Sequence, residues 1–280
     1  MSAVDENLAR ERRLAPLAVV GTCLAAILPM AGAIVGAGVL GDQPKDSASK
    51  LLYFNDHDGR LVVSAILLSL GALAILVPLS YLYSATKFRR PQLPRAALFC
   101  VLFGCLVLAV VQVLSQVVLA DKAATFASTG NQTYEEAKDV FESGILRGLA
   151  AGALAAQLSL GFAFLIISLN AMRAGLLTKF MGILGIIVGV LFVVPIAPGP
   201  PVVQSFWLVA LAALFAGRWP RGVPPAWRSG KAEPWPSAQE IREQRERELG
   251  TAEPAPASAP APAPAGAHSS SKRRKRKKRR

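Results

Sequence analysis

Histidine and cysteine are scarce in this 280-residue chain, which has two of the first and three of the second. His57 and His268 lie far apart, so no histidine pair is spaced to hold a metal. Cys23, Cys100 and Cys105 are odd in number, lack a CxxC pair and all fall inside apolar runs. That pattern argues against a disulfide framework or a zinc site and for small apolar packing residues. Glycine-rich phosphate loops, GxSxG elbows and HExxH strings are absent. No Asp, Glu, Lys or His stands near the centre of any long apolar run. A proton-coupled carrier usually needs such an ionisable relay. No cofactor, no metal and no catalytic residue is therefore expected, and the reading is of a non-enzymatic protein.

Long apolar runs are plentiful. Hydrophobic residues make up 52% of the chain, and their distribution carries more information than the fraction. They fall into six blocks at 14–40, 61–83, 96–120, 145–171, 176–194 and 202–217. A stretch of about 18 or more apolar residues reads as a membrane span, because about 20 helical residues cross a hydrocarbon core of about 30 Å. Lipid offers peptide groups no hydrogen bonds, so each block must be helical. The expected fold class is all-α, a polytopic membrane helix bundle of about six transmembrane helices with a disordered basic C-terminal tail. The first block is too long for the apolar core of a signal peptide, and acids mix with bases before it, so it reads as a retained span.

The chain divides into four regions. Residues 1–13 form a cytoplasmic N-terminus and 14–217 the six-helix transmembrane domain. Residues 218–251 form a cytoplasmic Trp/Pro segment with a short polar helix from Ser237, and 252–280 a Pro/Ala spacer with a polybasic end. Lys and Arg concentrate before the first block, in the second loop (Lys87, Arg89, Arg90, Arg95), in the fourth (Arg173, Lys179) and in the tail. The positive-inside bias then puts both termini in the cytoplasm. The Ala/Gly/Val/Arg-rich composition points to a bacterial plasma membrane. Thr133 and Glu136 form a capping-box pattern that predicts a short helix in the third loop. Asp56, His57 and Asp58 before Gly59 read as a solvated turn, not a calcium loop, whose other ligand positions are missing.

Two residue sets are candidates for function. Residues 1–217 carry a balance of only +3, whereas 218–280 carry +10. The tail ends in nine consecutive cations: Lys272, Arg273, Arg274, Lys275, Arg276, Lys277, Lys278, Arg279 and Arg280. Such a cluster is drawn to anionic lipid headgroups by about 1 kcal/mol per residue near the surface. RNA or a ribosome would present a similar phosphate field. The second set is amides within spans: Gln112 and Gln116, one helical turn apart, and Gln157. Interhelical hydrogen bonding accounts for such residues most simply. A polar lining for a small uncharged solute is the alternative, and an intramembrane enzyme the weakest reading. Glycine pairs at Gly32/Gly36, Gly148/Gly152 and Gly185/Gly189 predict close helix crossings.

The string MRAGLLTKFMGILGIIVGVL at 172–191 resembles a bacterial family of multi-pass membrane proteins known as domain of unknown function 4386. Lys179-Phe180 would fill the basic-aromatic pair and Gly182, Gly185 and Gly189 the glycine punctuation of the following span. Arg12-Arg13-Leu14 at the start of the first span also fits. Thr178 stands where the family often has proline. The resemblance covers roughly residues 10–218, implies the six-span plan and implies no activity.

Overall fold

The computed structural model describes residues 3–194, 201–220 and 222–233, together with Arg242 and Arg247. The polar helix expected from Ser237, the Pro/Ala spacer, the Lys272–Arg280 cluster and most of the PIAPGPP loop lie outside the described residues. The chain divides into two units, Met1–Trp235 and Pro236–Arg280. The helical bundle belongs to the first.

No strand occurs among the described residues. The helices are α1 (Ala3–Leu40), α2 (Ser47–Asp56), α3 (Asp58–Arg89), α4 (Arg95–Thr129), α5 (Tyr134–Phe141), α6 (Gly144–Arg173), α7 (Lys179–Val193), α8 (Val202–Phe215) and α9 (Pro225–Ser229). Four of them, α1, α3, α4 and α6, are long and apolar enough to cross a membrane. The apolar helices α7 and α8 have only 15 and 14 residues, about 21–22 Å at 1.5 Å per residue. Neighbours follow chain order, α1 against α3, α3 against α4, α4 against α6, α6 against α7 and α7 against α8. Helix α8 returns to α1 and closes the circuit.

The exterior is oily. Ile27, Phe99, Val110, Phe162 and Val209 point outward and are each more than half exposed. A protein bathed in water rarely presents apolar surface this continuous, and the four long helices make it a membrane protein. Inside, small residues let backbones approach. An added Cβ at Gly189 would lie 2.7 Å from the Gly161 carbonyl oxygen, so α6 and α7 touch nearly backbone to backbone. Gly71 makes room for the Pro29 ring of α1.

Serines tie the helices together. Ser64 donates to the Gly32 carbonyl, Ser69 to Ala109, Ser159 to Cys100 and Ser205 to Ala26. Trp207 of α8 donates its indole N–H to Met181 of α7. Each bond joins two different helices and satisfies a hydroxyl or indole that lipid would leave bare.

Three helices outrun their apolar blocks. Helix α1 starts at Ala3, α3 reaches Arg89 and α4 reaches Thr129. Hydropathy marks only the lipid-facing part of a helix, whereas helical hydrogen bonding continues into polar turns. The last turns of α4 set Ala123 and Phe126 against Leu51 of α2 and Ala137 of α5, a small separate core. The loop helix α5 begins, as the capping pattern predicts, with Thr133 accepting from the Glu136 amide. Helix α2 was not expected. Asp46 caps it by accepting from the Ser49 amide at 3.0 Å, which holds its carboxyl below the ordinary 3.8.

Candidate functional site

Two places in the first unit concentrate polar groups in an otherwise apolar structure. One lies where α1 begins, α3 ends and α9 docks. The other is a partly open cavity lined by the opposite halves of α1 and α3 together with α4, α7 and α8.

At the first place Arg89, near the last turn of α3, meets Glu11 of α1 in a two-pronged ion pair. Nη1 lies 2.6 Å from Oε1 and Nη2 lies 2.9 Å from Oε2. The Arg89 side chain is fully buried and that of Glu11 nearly so. Arg89 also donates Nε–H to the Ala226 carbonyl at 3.0 Å and Nη1–H to its own helix at Ala85. Asn7 donates to Glu11 from one turn earlier, and Tyr81 donates its hydroxyl to the Glu11 carbonyl oxygen. A guanidinium matches this task because its flat fork engages a carboxylate with two parallel bonds.

The same cluster fastens the Trp/Pro segment. Trp227 of α9 lies 5.5 Å from the Arg89 guanidinium, stacks on Tyr81 and meets Phe215 edge-on. Its indole N–H donates to the Leu176 carbonyl in the α6–α7 turn. Gly230 ends α9 in the left-handed region at φ 69°, and an added Cβ there would collide with Val4 of α1. Residues 224–230 are thus wedged among α1, α3 and the α6–α7 turn. That turn places Gly175 at φ 78° and buries Leu176 and Leu177 completely. Thr178 then caps α7 by accepting from the Met181 amide. A threonine side chain supplies that bond where proline could not.

The second place is a cavity of about 640 Å³. Pro29, Ala33 and Ala37 of α1 form one wall and Leu68, Ala72 and Ile75 of α3 the next. Leu108 of α4 and Phe192 of α7 close other sides. Its polar lining consists of three amides, Gln43, Gln112 and Gln204, and Ser64. Ser64 is already committed to Gly32. The Gln43 and Gln112 carbonyl oxygens are buried and have no hydrogen-bond partner among the described residues. A buried polar atom left unpaired costs about 1–3 kcal/mol, so two beside one space are notable. Among the described residues no charged side chain lines the cavity.

Of the amides picked out from sequence, only Gln112 faces this cavity. Gln116 lines a separate crevice of about 10 Å³ with Phe54 and Leu61, and Gln157 lines neither space. Gln43 and Gln204 escaped sequence reading because one follows the end of α1 and the other sits in the first turn of α8, where glutamine is commonplace. Glu11 and Arg89 escaped for a similar reason, since each belongs to a charged stretch that reads as solvated. Among the described residues no group of three or more His, Cys, Asp or Glu could hold a metal. No family model, curated protein or solved structure matches the chain.

Proposed function

We propose that this chain is a six-span protein of a bacterial plasma membrane, with both termini in the cytoplasm. It acts without catalysis as an anchor that presents its basic tail to anionic lipid. The mooring of residues 224–230 by Arg89, Trp227 and Leu176 carries the reading. This contact fastens the start of the Trp/Pro segment to the bundle. Lys, Arg and the α9 contact gather at the ends of α1, α3 and α8, the side the charge bias assigns to the cytoplasm. Lys272–Arg280 supplies the charge for a phosphate-bearing surface. The family resemblance at 172–191 belongs to the same proposal and adds no activity to it.

The test uses the full chain and a version ending at residue 251, each reconstituted in neutral nanodiscs. Co-sedimentation with anionic vesicles is measured at low and high salt. The full chain should bind anionic but not neutral vesicles and release them at high salt, and the shortened chain should bind neither. Equal binding by both chains, or binding that ignores salt, would defeat the proposal. Retention on RNA in preference to vesicles would move the partner to nucleic acid.

A solute pathway is the second reading, favoured by Gln112 at the cavity wall. Gln112, Gln116 and Gln157 do not share one space, so the three together line no common path.

A further inference from the structure

We infer that the cavity between α1, α3, α4, α7 and α8 is a binding site for an uncharged, membrane-partitioned amphiphile with a hydroxyl-bearing head. Such a site is independent of the tail and needs only that the bundle lie in lipid. Four observations support it. The volume, about 640 Å³, falls within the 300–1,000 Å³ of small-molecule sites. The walls are mainly apolar, from Ala33 and Leu68 to Ile75 and Phe192, so the occupant is mainly apolar. Charge is absent from the described residues of the lining, and an ion lodged here without a counter-ion would be strongly disfavoured. Lastly, two glutamine carbonyls beside the space are buried without partners among the described residues.

The amides also stand at two levels. Gln43 follows the end of α1 and Gln204 sits in the first turn of α8, whereas Gln112 lies midway along α4. Such an arrangement suits an elongated molecule with its head near Gln43 and Gln204 or reaching down to Gln112. A glutamine amide can offer either its oxygen or its N–H₂ after a half-turn about its last bond. A hydroxyl head, which both donates and accepts, satisfies it in either pose. Alkanes would leave the amides bare, and carboxylates would bring an unpaired charge.

The experiment uses the full chain in nanodiscs and a diazirine-bearing monoacylglycerol, with crosslinks mapped by peptide mass spectrometry. Labelling should concentrate on the Pro29–Ala37 wall of α1 and around Leu108 of α4. Unlabelled monooleoylglycerol should displace it at a concentration at least tenfold lower than oleate, which has the same chain but a charged head. Free glycerol should not displace it. Gln112→Leu should weaken monooleoylglycerol about tenfold, the loss expected for one hydrogen bond, without lowering the melting temperature. Should Gln112→Leu fail to fold, Gln204→Leu at the start of α8 gives the same reading. Even labelling of lipid-facing residues such as Phe99 and Val110, equal competition by oleate, or undiminished binding in the leucine variant would overturn the inference. Displacement by glycerol alone would overturn it in favour of a small polar solute.

Discussion

At the residue scale the strongest single commitment is the Glu11–Arg89 pair. Two ions taken out of water are stable only if their mutual attraction and extra hydrogen bonds offset the lost hydration. Here Arg89 has the carboxylate, Ala226 and Ala85 as acceptors, and Glu11 has Asn7 as an added donor. Removing one partner strands the other. Glu11→Ala is therefore expected to lower stability by about 3 kcal/mol or more, read by thermal or denaturant unfolding in detergent. A Glu11→Leu/Arg89→Met double variant should recover much of that loss while still loosening α9, because apolar replacement removes both buried charges. If the double variant is as unstable as the sum of the singles, the pair is not coupled as its geometry indicates. A milder residue-scale case is Asp46. Hydrogen bonding from the Ser49 amide lowers its pKa from 3.8, so the cap contributes fully above that value. It is lost as pH falls further, through the lowered pKa. Asp46→Ala should speed amide exchange at Ser49 at neutral pH, and Asp46→Asn should restore most of the protection, since asparagine also caps.

Between helices, glycine spacing decides how close two axes come. The three pairs seen in the sequence do not behave alike. Gly32 and Gly36 face Leu68 and Ser64 of α3, and Gly185 and Gly189 face Ser168 and Gly161 of α6. Among the described residues, a Cβ at Gly148 would meet nothing within 4 Å, and one at Gly152 only Val111 at 3.4 Å. Spacing alone identified six glycines as equivalent. It could not say which of them had a neighbour, because that depends on the rotation of each helix. Gly71, which belongs to no such pair, is among the most constrained: a Cβ would sit 2.5 Å from Pro29 Cγ. Gly71→Ala should therefore cost about 1–3 kcal/mol by overpacking, whereas Gly148→Ala should be neutral or stabilising, since alanine is the better helix former. Melting curves of the two variants, measured side by side, check this. Equal destabilisation would mean that α1 and α3 do not cross at Pro29.

For the whole molecule, the hydropathy of the chain made its class legible but not its interior. Four long helices follow from run length, and the outward apolar surface follows with them. Helix α2 was hidden because its ten residues are amphipathic and lie between two charged stretches. The cavity was hidden because its walls come from five helices that are distant in sequence, and its polar groups are scattered singly, Ser64, Gln112 and Gln204 in three different apolar blocks and Gln43 in a loop. The docking of α9 was hidden because tryptophan and proline near a span end suit a membrane interface as well as a protein contact.

Sidedness tests the largest remaining part of the proposal, because α7 and α8 are short for a bilayer about 30 Å thick. If both cross, by local thinning or an upright pose, residues 90 and 228 share one compartment and 138 the other. If they instead form a hairpin that returns without crossing, residues 90 and 228 still agree, since four crossings precede α7 either way. The discriminating position is therefore Gln204, at the start of α8 and itself part of the cavity lining. Single cysteines at Arg90, Lys138, Gln204 and Arg228, on a background with Cys23, Cys100 and Cys105 replaced by alanine, would be exposed in intact cells to a membrane-impermeant maleimide. Six crossings predict labelling at 138 and protection at 90 and 228. They also predict labelling at 204 from the same side as 138. Protection at 204 in intact cells, with rapid labelling from the cytoplasmic side in inverted vesicles, would establish the hairpin and reduce the crossings to four.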